Sequence, residues 1–173
     1  PTRKYENEGG PGAAEIVDLL RASSSAREAD VATFVDALIL NWLIAGTDAH
    51  AKNYSILIGA GGRARLAPLY DIASALPYDD MDLRRLKLAM RIGGEYRLRD
   101  ITVRDWTRLA GGLRLSADGM RDRIGDLAGR LPDTAAAVRD EIAREGLAHG
   151  VIDRLTDRLA DRAAECAQAV AQA

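Results

Sequence analysis

The stretch from Arg27 to Ala45 leaves this chain few ways to fold. Val31, Phe34, Val35, Leu38, Ile39, Trp42 and Leu43 recur there at i, i+3, i+4 and i+7. That spacing sets them on one face of a helix. Phe34 and Trp42 are read as core, so the other elements must pack around this helix. Gly46 ends the run, since glycine is free to adopt the positive φ of a helix stop. A polar block then follows, Gly46-Thr47-Asp48-Ala49-His50-Ala51-Lys52-Asn53-Tyr54. Its side chains begin where a buried helix ends, on a loop whose base is held by packing.

The residues after the block predict a hairpin. Tyr54 to Ile58 and Ala64 to Pro68 are short strand candidates joined by Gly59-Ala60-Gly61-Gly62. The return strand would bring Asp71, in Ala67-Pro68-Leu69-Tyr70-Asp71-Ile72-Ala73-Ser74, back near Asn53. Upstream, Gly9-Gly10-Pro11-Gly12 reads as a turn, with Pro11 suited to a helix start. A short helix carrying Ile16, Val17, Leu19 and Leu20 ends near Ser23-Ser24-Ser25, a loop with capping capacity. Downstream, Pro77 to Asp82 is an acidic loop, and Leu86 to Ile92 is a strand closed by Gly93-Gly94.

The remainder is helical. Thr102-Val103-Arg104-Asp105 is an N-terminal cap signature ahead of Trp106 and Leu109. Ser116-Ala117-Asp118 opens a second helix, with Met120, Ile124, Leu127 and Leu131. Pro132-Asp133 is expected to separate it from a third, roughly 134–146. A fourth runs from Val151 to the C-terminus with Ile152, Leu155, Leu159 and Ala163 on one face. Its alternating Asp153-Arg154, Asp157-Arg158 and Asp161-Arg162 predict a solvated, ion-paired face.

Asp48, Asn53 and Asp71 are of the types that phosphoryl transfer requires. One carboxylate orients the attacking hydroxyl, and oxygen ligands hold a metal on the phosphates. Mg²⁺ is small and hard, and takes one or two protein oxygens besides phosphate and water. Protein kinases place Asp-x-x-x-x-Asn in the catalytic loop and a metal-binding Asp further on. Asp48 and Asn53 have that spacing, and Asp71 lies beyond the expected hairpin. Each residue also has a plainer role open to it as a turn or cap residue. Lys52 could meet the γ-phosphate or merely balance local charge. His50 reads as a hydrogen-bonding brace of the loop rather than a proton carrier, since Asp48 already fills that role. Tyr54 and Tyr70 read as packing residues beside the site.

The stretch from Asn41 to Ser55, followed by Leu66-Ala67-Pro68-Leu69-Tyr70-Asp71-Ile72-Ala73-Ser74-Ala75, resembles the HipA family of bacterial Ser/Thr kinases. Lys4-Tyr5-Glu6-Asn7-Glu8-Gly9-Gly10-Pro11-Gly12 resembles that family's loop into the kinase C-lobe. The likeness is strongest from Lys4 to about Gly94. It implies a mainly α fold with a small β-hairpin region (α+β), a kinase-like C-lobe filling 1–173. Its catalytic loop would be 46–54, its metal-Asp segment 66–75 and its helical tail 102–173. It further implies a toxin of a toxin–antitoxin pair that uses ATP and Mg²⁺. Asp48 and Lys52 would be catalytic, Asn53 and Asp71 metal-binding, and His50, Asn53 and Asp71 cofactor-binding. The implied partners are a HipB-like DNA-binding antitoxin and a protein substrate, an aminoacyl-tRNA synthetase being one target class in the family.

The chain departs from a whole kinase. No Gly-rich phosphate loop precedes the motif, and no strand lysine is paired to a helix glutamate. The expectation is therefore a C-lobe that lacks its N-lobe and is inactive without it. Two other readings stand beside this one. The first is a kinase-like module that binds an antitoxin or partner without turnover. The second is a metal-dependent hydrolase using Asp48, His50 and Asp71, for which few histidines are present.

Composition bounds the rest. At 173 residues and 47% apolar, the chain has the size of one domain with a real core. A net charge of −2 gives no general grip on nucleic acid. The lone Cys166 allows no internal disulfide. No membrane span or signal peptide is apparent, so a cytoplasmic protein is expected.

Overall fold

The computed structural model describes residues 3–171. The opening Pro1-Thr2 and the last two positions of the expected C-terminal helix lie outside them. Five helices, α1 (Ala13–Ser23), α2 (Arg27–Leu43), α3 (Val103–Gly112), α4 (Ala117–Arg144) and α5 (Gly150–Ala171), carry most of the chain. Two antiparallel hairpins stand between α2 and α3. The first is β1 (Ile56–Ile58) with β2 (Ala64–Leu66), and the second β3 (Lys87–Ile92) with β4 (Glu95–Arg97). This is the α+β architecture expected, with β4 as an unforeseen short strand.

Helix α2 is the centre of the core. Its predicted apolar face, Val31 through Leu43, is buried, and α1, α4 and α5 pack against it. Trp42 meets Trp106 of α3 edge-on at 5.4 Å, and its indole N–H donates to Leu98 O at 3.4 Å. Edge-to-face pairs of this kind add to the apolar burial. Phe34 packs edge-on against Tyr54 at 4.8 Å, so the core reaches up to the polar loop. On α1, Ile16, Val17 and Leu20 are buried, whereas Leu19 lies on the outer face. The cap of α3 forms as predicted: the backbone N–H and the hydroxyl of Thr102 both donate to Asp105.

Several local expectations are corrected. Pro11 stands outside α1, whose N-cap is Gly12. Neither Ser24 nor Ser25 caps α2, which begins after Ala26. Ser24 turns inward instead and donates to the buried Asp30 at 2.6 Å. The positive φ after α2 belongs to Ala45 (53°), not to Gly46. Gly46 is required for space: a Cβ there would collide with Asn41 Oδ1 and stand 3.2 Å from Ala73 O.

Pro132 does not divide the helical tail, and α4 runs through it. An interior proline costs about 3 kcal/mol. Leu127, Leu131 and Ala135 lie on both sides of it and pack onto the core, which offsets that cost. The Asp–Arg alternation of α5 is not an ion-paired outer face either. Arg154 donates to Pro77 O, Arg158 to Leu76 O and to the Asp79 carboxylate, and Arg162 to Trp42 O. Each arginine thus leaves its own helix to reach a backbone carbonyl of a neighbouring segment.

Candidate active site

The two polar motifs are tied together at three levels. At the base, Ser74 Oγ donates to Ile44 O at 2.5 Å and Ala75 N to Ala45 O at 3.2 Å. In the middle, Tyr70 Oη donates to Lys52 O at 2.8 Å and lies 2.7 Å from Ser55 Oγ. At the tip, Asn53 Nδ2 donates to Asp71 Oδ2 at 2.8 Å. The β1–β2 hairpin makes this meeting possible by turning the chain back through Gly59–Gly62. Its return strand is fixed from below, because Asp30 accepts from Leu66 N at 2.7 Å and from Arg65.

Asn53 and Asp71 form a distinctive pair. Asn53 is buried, and its Oδ1 has no hydrogen-bond partner among the described residues. A buried carbonyl oxygen left unpaired costs about 1–3 kcal/mol. Asp71 holds a left-handed backbone, φ 56°. That conformation is uncommon outside glycine, though Asp tolerates it better than most, and such outliers gather at functional sites. An unsatisfied amide oxygen beside a carboxylate is a donor set that a hard divalent cation would complete.

Asp48 stands apart on the exposed side of the loop. Its Oδ1 accepts from Tyr5 Oη at 2.7 Å and lies 3.8 Å from Lys4 Nζ. Contact with Tyr5 and the charge of Asp48 hold the Lys4 ammonium above its ordinary range, against the opposing effect of desolvation. His50 is buried but does not brace the loop by hydrogen bonding. Its Nδ1 has no partner among the described residues, and its Nε2 is 3.9 Å from Asp48 Oδ1. It braces by packing instead, edge-on to Tyr5 at 5.4 Å. Lys52 is exposed. Burial pushes the Tyr54 hydroxyl up to about 12, with the nearby Asn41 amide pulling the other way. Tyr54 is therefore a neutral wall of the cleft that Asn41, Asn53, Tyr70 and Asp71 also line.

Lys4 and Tyr5 are the site residues that spacing could not find. They lie more than forty positions from Asp48, and no local period links them. Among the described residues, no three His, Cys, Asp or Glu side chains gather as a metal cluster. The three-ligand set that a hydrolase would build from Asp48, His50 and Asp71 is thus not assembled. No helix among the described residues is long and apolar enough to cross a membrane. A larger cavity, about 290 Å³, lies away from this site between α1, α2 and α4, where Val31, Val35 and Met120 are joined by Arg27, Glu28 and Arg123.

Comparison with known proteins points one way. The HipA-like C-terminal domain family matches residues 1–135. Y4mE of Sinorhizobium fredii, a protein provisionally named a kinase, is 35% identical over 141 residues, covering 82% of this chain and 33% of that protein. Y4dM of the same organism, also provisionally named a kinase, is 40% identical over 50 residues, 29% of this chain and 12% of that protein. This chain spans about a third of the length of Y4mE. Among solved structures, it matches HipA in the Shewanella oneidensis MR-1 toxin–antitoxin complex of HipA, HipB and operator DNA. The TM-score is 0.78 at 21% identity, over 98% of this chain and 42% of that one. That likeness is one of fold.

Proposed function

This chain belongs to the HipA-like C-terminal domain family, and on that premise we propose that it is the catalytic lobe of an ATP- and Mg²⁺-dependent protein serine/threonine kinase. The observation that carries this reading is the Asn53–Asp71 pair, with its buried, unpartnered amide oxygen. Asn53 Oδ1 and the Asp71 carboxylate would hold Mg²⁺, which when bound neutralises charge on the phosphates. Asp48 orients the acceptor hydroxyl and takes its proton. The hydroxyl oxygen bonds to the γ-phosphorus, the bond from that phosphorus to the bridging oxygen breaks, and ADP leaves. Lys52 is exposed at the same loop and offsets charge on the transferring group. His50 serves the nucleotide site indirectly, by keeping the loop packed.

The whole protein would be the toxin of a toxin–antitoxin pair acting in the cytoplasm. A HipB-like DNA-binding antitoxin is its partner in this reading, by analogy with the Shewanella complex. A second kinase lobe completes the ATP site, and the acceptor is a protein. The test uses the full-length protein and ATP labelled at the γ-phosphate. Label should pass to the protein itself and to water. Asp48→Asn should abolish that transfer while calorimetry still records Mg²⁺-dependent ATP binding, and Asp71→Ala should lose the Mg²⁺ dependence. Transfer that survives Asp48→Asn removes Asp48 from its role.

A further inference from the structure

The segment ahead of α1 folds back over the catalytic loop and is firmly fixed there. Glu6, whose side chain is 10% exposed, accepts the Arg91 backbone N–H of β3 at 2.8 Å and pairs with Arg91 Nε at 2.8 Å. Gly9, at φ 84°, closes a tight turn by donating to Glu6 O at 2.9 Å. Gly10 N donates to Tyr5 O at 2.8 Å, and a Cβ on Gly10 would lie 2.8 Å from that oxygen. The Tyr5 carbonyl is therefore held by the turn, and the next residue is anchored on β3, before the Tyr5 side chain touches anything.

That side chain reaches Asp48. Tyr5 Oη donates to Oδ1 at 2.7 Å. Lys4 Nζ sits 4.5 Å above the Tyr5 ring and 3.8 Å from the same oxygen. His50 meets the Tyr5 ring edge-on, at an interplanar angle of 72°, with Nε2 3.9 Å from that oxygen again. All three neighbours converge on Oδ1. Oδ2 accepts no hydrogen bond among the described residues, and the Asp48 side chain is 60% exposed.

We infer that Tyr5 and Lys4 are positioning residues that hold Asp48 Oδ1 and so present Oδ2 to the acceptor hydroxyl. The inference rests on the role proposed above for Asp48. A carboxylate on an exposed loop turns about its last torsion, and its two oxygens interchange. A donor pinned on one oxygen stops that rotation, so the other meets the acceptor in one geometry. This is the third-group logic by which a base is oriented in other sites. Orientation of this kind acts on the rate of transfer rather than on the affinity for nucleotide.

Were Tyr5 only a packing residue, phenylalanine would replace it at no cost, since only the hydroxyl differs. The full-length protein with Tyr5→Phe should transfer label from γ-labelled ATP about tenfold more slowly, the KM for ATP unchanged. Lys4→Met should lower kcat in the same direction, again without moving KM. The melting temperature should stay close to that of the parent, so that the loss is not one of folding. An unchanged kcat in Tyr5→Phe, or a fall in kcat matched by a rise in KM, overturns the positioning role while leaving the kinase reading intact. A parent protein that transfers no label at all overturns the kinase reading, and the positioning role with it.

Discussion

Asp30 offers the sharpest test of how the site is supported. It is 3% exposed, one turn into α2, and receives four donors: Ser24 Oγ at 2.6 Å, Leu66 N at 2.7 Å, and Arg65 through Nη2 at 2.9 Å and Nε at 3.1 Å. Asp30→Ala would strand the Leu66 N–H in the core, at about 1–3 kcal/mol, and leave the buried Ser24 hydroxyl without its acceptor, at about 1 kcal/mol. Arg65 is half exposed and would rehydrate, so its loss adds less than about 1 kcal/mol. Together these give roughly 2–5 kcal/mol, a span that includes the cost of breaking other buried ion pairs. For a chain of this size that is a fall in melting temperature of roughly 4 to 20 °C. Asp30→Asn keeps an acceptor for Leu66 and should fall less.

The pH dependence follows from the same contacts. Burial pushes the Asp30 carboxyl up, but donation from Arg65, Ser24 and the Leu66 N–H outweighs it and leaves the group below its ordinary value of 3.8. A carboxylate lowered in the folded state adds stability above its unfolded value, and loses it as pH falls through the folded one. The parent should therefore lose stability below about pH 4 more steeply than Asp30→Ala does. Urea unfolding at a series of pH values measures both quantities. A loss under about 1 kcal/mol together with parallel acid limbs would refute the argument, since neither the orphaned donors nor the lowered carboxyl would then be real.

Three further outcomes are expected. Gly46→Ala should lower the melting temperature and loosen the 46–54 loop, because its Cβ meets Asn41 Oδ1. Gly125→Ala, within α4 and with nothing within 4 Å, should raise stability by about 0.5–1 kcal/mol in the same thermal melts. Burial pushes the Cys166 thiol up to about 11, and the residue is enclosed by the core. A thiol-reactive dye at pH 8 should label it only as fast as the chain unfolds, and prompt labelling of the folded chain would contradict that burial.

The sequence disclosed those parts of the molecule that obey a local rule. The face of α2 follows helical period, the Thr102 cap follows a four-residue signature, and the β1–β2 turn follows its glycines. Asn53 meets Asp71 because a hairpin of that length must return the chain. The misreadings share one cause, which is that tertiary contacts overruled local preference. Pro132 is carried through α4 by apolar packing on both sides. Ala45 takes the positive φ, and Gly46 is needed for a different reason, the crowding of its backbone by Asn41 and Ala73. Lys4 and Tyr5 reach Asp48 through a turn anchored on β3, and no short-range pattern encodes that meeting. The acid–base alternation of α5 has the look of a solvated surface, yet its arginines found acceptors elsewhere.

Those arginines bear on how freely this molecule can vary. Arg154, Arg158 and Arg162 are spaced one turn apart and grip the main-chain carbonyls of Pro77, Leu76 and Trp42. Trp42 O is one of the last carbonyls of α2, a place where a helix lacks internal partners and welcomes a cation. A carbonyl is the same in every residue type. A change of side chain at 42, 76 or 77 therefore leaves these three acceptors in place, while the three arginines cannot change without releasing both approaches to the site. For these hydrogen bonds the dependence runs one way. It also crosses the boundary of the recognised family segment, which stops at residue 135. A chain trimmed to that boundary would keep Asp48, Asn53 and Asp71 and lose the helix that fastens the ends of their loops.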